Sequence, residues 1–274
     1  MFPNKVESIF LAVAMVIMQM VVTFALAILG ALGGFSDFLN LNPGARYIVV
    51  FIISTAILLA YSLSRSGLKF KDIFHAHFNN PVLVAMMVLI PITMVIVGFR
   101  ILLSDFFIVY YTLFPHPTYI TEQLSVLMGS GIMGVLCICV VAPVTEELIY
   151  RGVILRGLLA SYGKNDAIVF SAIVFSIVHI NPDQIVFALV IGLFFGWLYV
   201  KTYSLWPSII AHILFNSFSQ VLSSSLIKIQ GVNVFPNNQV VFPSLLMQLI
   251  ALILTVTGLF VLHKLFTRPS EAAA

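Results

Sequence analysis

Eight long apolar runs take up most of this 274-residue sequence, at residues 8–31, 47–63, 81–99, 126–145, 167–180, 184–200, 205–222 and 242–262. A helix needs about 20 apolar residues to cross the hydrocarbon core of a bilayer. Inside that core every backbone N–H and C=O must find its partner within protein. The runs are solid rather than alternating, so helices are expected and the ten-residue dyads of a membrane barrel are not. Asp, Glu, Lys and Arg make up only 8% of the chain, against about a quarter in a soluble domain, and no polar surface can be built from that supply. These features exclude a cytoplasmic enzyme, a secreted domain and a disordered chain. They predict an all-α polytopic membrane protein, about eight transmembrane helices in one membrane-embedded domain (1–274), with a polar site inside the helix bundle.

Charge sets the expected orientation. With the N-terminus in the cytoplasm and eight crossings, ten of the 13 Lys and Arg fall on the inner side: Lys5, Arg65, Lys69, Lys71, Arg151, Arg156, Lys164, Lys201, Lys264 and Arg268. Arg46, Arg100 and Lys228 fall outside. Positive residues favour the cytoplasmic side, so both termini are expected there, in a plasma membrane or an endoplasmic reticulum membrane. The first run is longer than the apolar core of a signal peptide and is read as a retained span. The aromatic stretch 101–121 either extends the third span or lies in the outer interface. Residues 268–274 are expected to be a disordered tail. A net charge of +3, scattered along the chain, gives no nucleic-acid footprint; the bilayer is the expected partner. Cys137 and Cys139, two apart in an apolar run, read as small apolar fillers rather than a disulfide framework. Gly129, Gly131 and Gly134 are expected to let helices approach closely. His75 and His77, beside Lys69 and Lys71, read as a juxtamembrane anchor on anionic lipid.

Ionisable groups are expensive inside a bilayer, so each one marks a functional hypothesis. Three places stand out: Glu146-Glu147 followed by Arg151, then His179, then His212 with Asn216. Counted at ~1.5 Å per residue, Glu146 lies about 20 Å, His179 about 18 Å and His212 about 16 Å above the inner boundary, provided the fourth helix continues through Arg151 and Arg156. Adjacent glutamates point about 100° apart on a helix, so they cannot share a target. Glu147 and Arg151 are i, i+4 neighbours, which suits a structural ion pair and leaves Glu146 for chemistry. Glu146 and His179 would then activate a water. His212 and Asn216, one turn apart, would donate hydrogen bonds to an oxyanion.

The string Ala142-Pro143-Val144-Thr145-Glu146-Glu147-Leu148-Ile149-Tyr150-Arg151-Gly152 resembles the EExxxR motif of the CPBP family, the intramembrane proteases that include CAAX proteases, bacteriocin-processing peptidases and Abi proteins. Phe175 to His179 is similar to its FxxxH motif, Gly192 to Tyr199 to its glycine-bearing segment, and His212 with Asn216 to its HxxxN motif. The motifs stand in family order over residues 140–220, the expected catalytic core. Tyr150 stands where many relatives carry Phe. The resemblance implies an eight-helix membrane endopeptidase of the Rce1-like CAAX type. It also implies a catalytic set of Glu146, His179, His212 and Asn216, supported by Glu147 and Arg151. The implied substrate is a peptide or membrane protein, in some relatives a prenylated one.

Other classes stay open on the sequence alone. In a soluble helix Glu-Glu-x-x-x-Arg is an ordinary solvated face, and a lone histidine is an ordinary packing residue. Their clustering in so acid-poor a chain, at one counted depth, shifts the reading toward function. No metal is favoured; the alternative is zinc on Glu146, His179 and His212, since three protein ligands and a water make a catalytic zinc site. Against zinc, the chain lacks HExxH. A proton-coupled transporter or a non-catalytic immunity-type membrane protein would use the same buried groups, although no internal repeat marks a transporter.

Overall fold

The computed structural model describes residues 2–32, 42–74, 81–114, 125–179, 182–223, 226–233 and 241–267. Each of the eight predicted spans lies on a helix: α1 (Lys5–Ala31), α2 (Pro43–Ser66), α4 (Pro81–Leu113), α5 (Ile132–Leu159), α6 (Lys164–Ile177), α7 (Pro182–Thr202), α8 (Leu205–Ser223) and α9 (Leu245–Thr267), with a short α3 (Phe70–Ile73) after α2. No strand forms among the described residues. The chain is an all-α polytopic membrane protein. Six of these helices are long and apolar enough to cross a bilayer, namely α1, α2, α5, α7, α9 and residues 86–110 of α4. The count of eight is not reached on that measure. At ~1.5 Å per residue the 14 residues of α6 extend about 21 Å, short of a ~30 Å hydrocarbon core. In α8, serines, His212, Asn216 and Gln220 dilute the apolar run.

Local signals account for the helix ends. The Asn4 side chain accepts from the Glu7 N–H while the Glu7 carboxylate accepts from the Asn4 N–H, a reciprocal cap that starts α1 before its apolar run. Gly67, at φ 70°, ends α2 in the left-handed conformation. The aromatic stretch after Phe99 extends the third span: α4 continues to Leu113, so Phe106, Phe107 and Tyr110 are helical. The fourth span begins later than expected, because Gly131 takes φ 63° ahead of Ile132. Of the three glycines expected to serve packing, Gly134 does so: a Cβ on the facing Gly44 of α2 would come within 2.5 Å of its nitrogen. Gly131 instead has nothing within 4 Å of a Cβ and supplies backbone conformation. His75, His77 and the tail 268–274 lie outside the described residues.

The chain forms two compact units. The first comprises Met1–His77 and Thr118–Ile209, and holds α1, α2, α3, α5, α6, α7 and the start of α8. In it, Lys5 pairs with Asp166 at 2.8 Å, Arg65 approaches Glu7 at 3.9 Å, and Arg156 donates to the Asp72 carbonyl. These contacts gather the N-terminus, the α2–α3 connection, the end of α5 and the start of α6 at one end of the unit. All four segments carry the positive residues expected on one side of the membrane. The opposite kind of surface covers α1, where Phe10, Met20 and Phe24 are exposed, as suits a face turned to lipid.

The second unit comprises Phe78–Pro117 and Ile210–Ala274. Its core joins Ile101 of α4, Leu222 of α8, Val232 and Ala251 of α9. Close approach of α4 and α9 depends on small residues, since a Cβ on Gly98 would overlap the Thr255 hydroxyl and the Ala251 carbonyl. Gln248 donates to Asp105 at 2.9 Å across the same pair of helices.

Candidate active site

The expected continuation of the fourth helix is present: α5 runs through Glu146, Arg151 and Arg156 to Leu159. It is not uniform. Two wide π-helical segments, Cys137–Val141 and Tyr150–Leu155, flank the α-helical turns Ala142–Ile149 that carry both glutamates. Pro143 explains the first, because it has no N–H to give and its ring would crowd the carbonyl four residues back in an ordinary helix. Around these wide turns, Thr145 Oγ1 donates to the Val141 and Ala142 carbonyls, at 2.8 and 2.9 Å. Ser171 Oγ reaches from α6 to the Tyr150 carbonyl at 3.4 Å. Hydroxyls thus satisfy backbone groups that bilayer burial would otherwise leave costly.

The two glutamates separate as the geometry demands. Glu147 is fully buried, and Arg151 Nη1 donates to its Oε1 at 2.7 Å, with both side chains at 0% exposure. Arg151 Nη2 donates to the Gly192 carbonyl of α7 at 3.1 Å, and its guanidinium lies 4.6 Å from the Phe175 ring centre and 5.4 Å from that of Phe195. A buried cation is tolerated when an ion pair, a carbonyl and two aromatic faces all receive it. This single side chain therefore links α5, α6 and α7. Glu146 points elsewhere and is half-buried, within electrostatic reach of Tyr150 and Arg151.

His179 does not lie inside a helix, as expected from its apolar run. The helix α6 stops at Ile177, and His179 sits in the closing turn, its N–H bonded to the Ser176 carbonyl at 3.2 Å. Pro182 follows three residues later in the sequence, where a helix would have to end. The His179 Nδ1 is 2.8 Å from the Phe175 carbonyl. A carbonyl only accepts, so Nδ1 carries the hydrogen, and in the neutral ring Nε2 is left as the basic nitrogen. Phe175 is a hub of ring contacts. Its ring stands edge-on to Tyr150 at 5.0 Å and to His179 at 5.0 Å, beneath Arg151. Tyr150, Phe175 and His179 thus form a line of ring contacts from α5 to the end of α6.

Gly192 and Gly196 explain the glycine-bearing segment. A Cβ on Gly192 would come within 3.2 Å of Phe175 and 3.3 Å of Ala172, and one on Gly196 within 3.2 Å of Ile168. Their i, i+4 spacing keeps α7 close on α6 and brings the Gly192 carbonyl to Arg151. His212 and Asn216 lie one turn apart on α8, in the second unit, His212 buried and Asn216 half-buried. Among the described residues, no group of three or more His, Cys, Asp or Glu side chains is gathered as a metal site would need.

Residues 128–218 match a family described as "Type II CAAX prenyl endopeptidase Rce1-like". Over this stretch the chain is similar to the Rce1-like family. The matched segment contains Glu146, Glu147, Arg151, His179, His212 and Asn216. A curated relative, "Putative membrane peptidase YdiL" of Bacillus subtilis (strain 168), is 30% identical over 83 residues, which is 30% of this chain and 34% of that protein. The match thus spans about a third of the length of the curated relative. No solved structure gives a significant match.

Proposed function

We propose that this protein is an intramembrane endopeptidase that hydrolyses a peptide bond in a membrane-associated substrate. The observation that carries the reading is the contrast within Glu146-Glu147 on an Rce1-like segment: one carboxylate sealed in an ion pair, its neighbour left half-buried. In this reading Glu146 takes a proton from a water, and the resulting hydroxide attacks the scissile carbonyl. His179 orients that water through Nε2, and its Nδ1–H stays on the Phe175 carbonyl. His212 and Asn216 donate to the oxyanion, an assignment supported by their spacing and by the HxxxN resemblance. The proton held by Glu146 then passes to the departing amine, which completes the hydrolysis. Glu147 and Arg151 position the helix and take no part in proton transfer.

The preferred substrate class is a peptide or membrane protein reached from the cytoplasmic side, including prenylated C-terminal peptides, with both termini of the enzyme in the cytoplasm. No metal is part of this reading. The test is turnover by the purified full-length protein in nanodiscs, using a fluorogenic prenylated peptide and a leader-peptide panel, with and without chelator. Cleavage that survives chelation and disappears in Glu146→Gln supports the glutamate mechanism. Loss on chelation with recovery on zinc would replace it by a zinc site on Glu146, His179 and His212. Transport of a solute or proton by protein that cuts none of the panel would favour the transporter class instead.

A further inference from the structure

A second polar site lies in the first unit, away from the glutamates. Arg156, Leu159, Ala160, Lys164, Tyr199 and Tyr203 line a cavity of about 230 Å³. It opens at the end of the unit where the Lys5–Asp166 and Arg65–Glu7 pairs gather. Two cations and two tyrosines line it, and among the described residues no carboxylate does. Asp166, two residues from Lys164, pairs with Lys5, and the Asp72 carboxylate accepts from the Lys69 N–H at 2.9 Å. Among the described residues Arg156 donates to the Asp72 backbone carbonyl and pairs with no carboxylate, so its charge is hydrogen-bonded but not neutralised there. Arg156 also lies within electrostatic reach of the buried Tyr199.

Tyr203 adds a separate observation. It holds φ 47°, the left-handed region that a non-glycine residue enters at a cost of about 1–2 kcal/mol, and its N–H bonds the Tyr199 carbonyl at 2.6 Å. A glycine would end α7 there without strain. The tyrosine keeps an aromatic side chain in the cavity lining, and strain of this kind concentrates at ligand sites.

We propose that this cavity binds a phosphate-bearing anion. The planar Arg156 guanidinium is suited to two phosphate oxygens, Lys164 supplies a second charge, and the tyrosine hydroxyls donate at the wall and rim. Leu159 and Ala160 give one apolar side, which suits the first carbons beyond a phosphate. Basic pockets at the cytoplasmic ends of membrane helices hold anionic headgroups by this chemistry. A phospholipid headgroup and a soluble phosphate share it, and the experiment separates them.

The test uses full-length protein in nanodiscs of phosphatidylcholine with a titrated fraction of phosphatidylglycerol. Native mass spectrometry counts retained anionic lipid; a parallel arm in neutral detergent measures thermal stabilisation by inorganic phosphate. Removing one cation is expected to weaken retention roughly fivefold, from a contribution of about 1 kcal/mol per basic residue. Lys164→Gln should show this, Arg156→Gln/Lys164→Gln should abolish retention, and Lys201→Gln, an exposed cation outside the cavity lining, should not. Lys164 is exposed and makes no ion pair with a described carboxylate, so that variant keeps the test valid if Arg156→Gln folds poorly. Retention of lipid assigns a headgroup; stabilisation by phosphate without lipid retention assigns a soluble ligand, and either must weaken about fivefold in Lys164→Gln. Unchanged binding in Lys164→Gln, or an equal loss in Lys201→Gln, would overturn the proposal.

Discussion

Neighbouring side chains of one type meet opposite fates here because a helix turns about 100° between them. Glu147 faces inward to Arg151, with both groups fully buried, while Glu146 keeps partial exposure. Removing one member of a buried pair strands the other charge, at a cost of about 3–5 kcal/mol. Arg151→Ala is therefore expected to lose stability on that scale, in denaturant titration of the purified protein. Glu146→Gln, at a half-buried position and with the Glu147–Arg151 pair left in place, is expected to cost less than Arg151→Ala while removing turnover. Equal destabilisation by the two variants would show that both glutamates are structural. The i, i+4 spacing of Glu147 and Arg151 made their pairing readable from the sequence. The role of Phe175 was not readable in the same way: a phenylalanine in an apolar run looks like lipid-facing filler until three partners converge on it.

Helix positions were legible because each apolar run is long, and helix shapes were not. The π-helical turns around Ala142–Ile149 leave no compositional mark beyond Pro143, and the end of α6 before His179 depends on a proline outside that helix. The glycines can be ranked by what a methyl group would meet. On Gly192 it would sit 3.2 Å from the Phe175 ring edge and 3.3 Å from Ala172. Overpacking of that size costs about 1–3 kcal/mol, which the better helix propensity of alanine offsets by about 1 kcal/mol. Gly192→Ala should thus cost about 0–2 kcal/mol, yet displace the ring that carries His179. Its expected signature is a several-fold drop in cleavage rate with protein that still folds and unfolds cooperatively. Gly98→Ala makes the contrasting case. Its methyl overlaps the Ala251 backbone carbonyl, which cannot rotate away, so α4 and α9 must separate and the unfolding midpoint should fall clearly. Full activity in Gly192→Ala would sever the proposed link from α7 to the histidine.

At the scale of the whole molecule, topology depends on which ends of the helices share a compartment. Counting crossings put Lys5, Arg65, Arg156 and Lys164 on one side from charge alone. Within the first unit the same segments meet through Lys5–Asp166, Arg65–Glu7 and the bond from Arg156 to the Asp72 carbonyl. A side chain on one face of a bilayer cannot reach one on the other across ~30 Å of hydrocarbon. The contacts therefore require an even number of crossings from the N-terminus to the α2–α3 connection, and again from there to the start of α6. Direction relative to the cell comes from the positive-residue bias and is open to measurement. Single cysteines at Lys5, Ser66 and Lys164 would be placed in a Cys137→Ala/Cys139→Ala background, where neither buried native thiol can interfere, and probed with a membrane-impermeant maleimide in sealed vesicles. All three should be protected in intact cells and labelled together in inverted vesicles, with Lys228→Cys showing the reverse. Labelling of Ser66→Cys and Lys164→Cys from opposite sides would break the parity, and with it the shared inner boundary from which Glu146, His179 and His212 were counted to one depth.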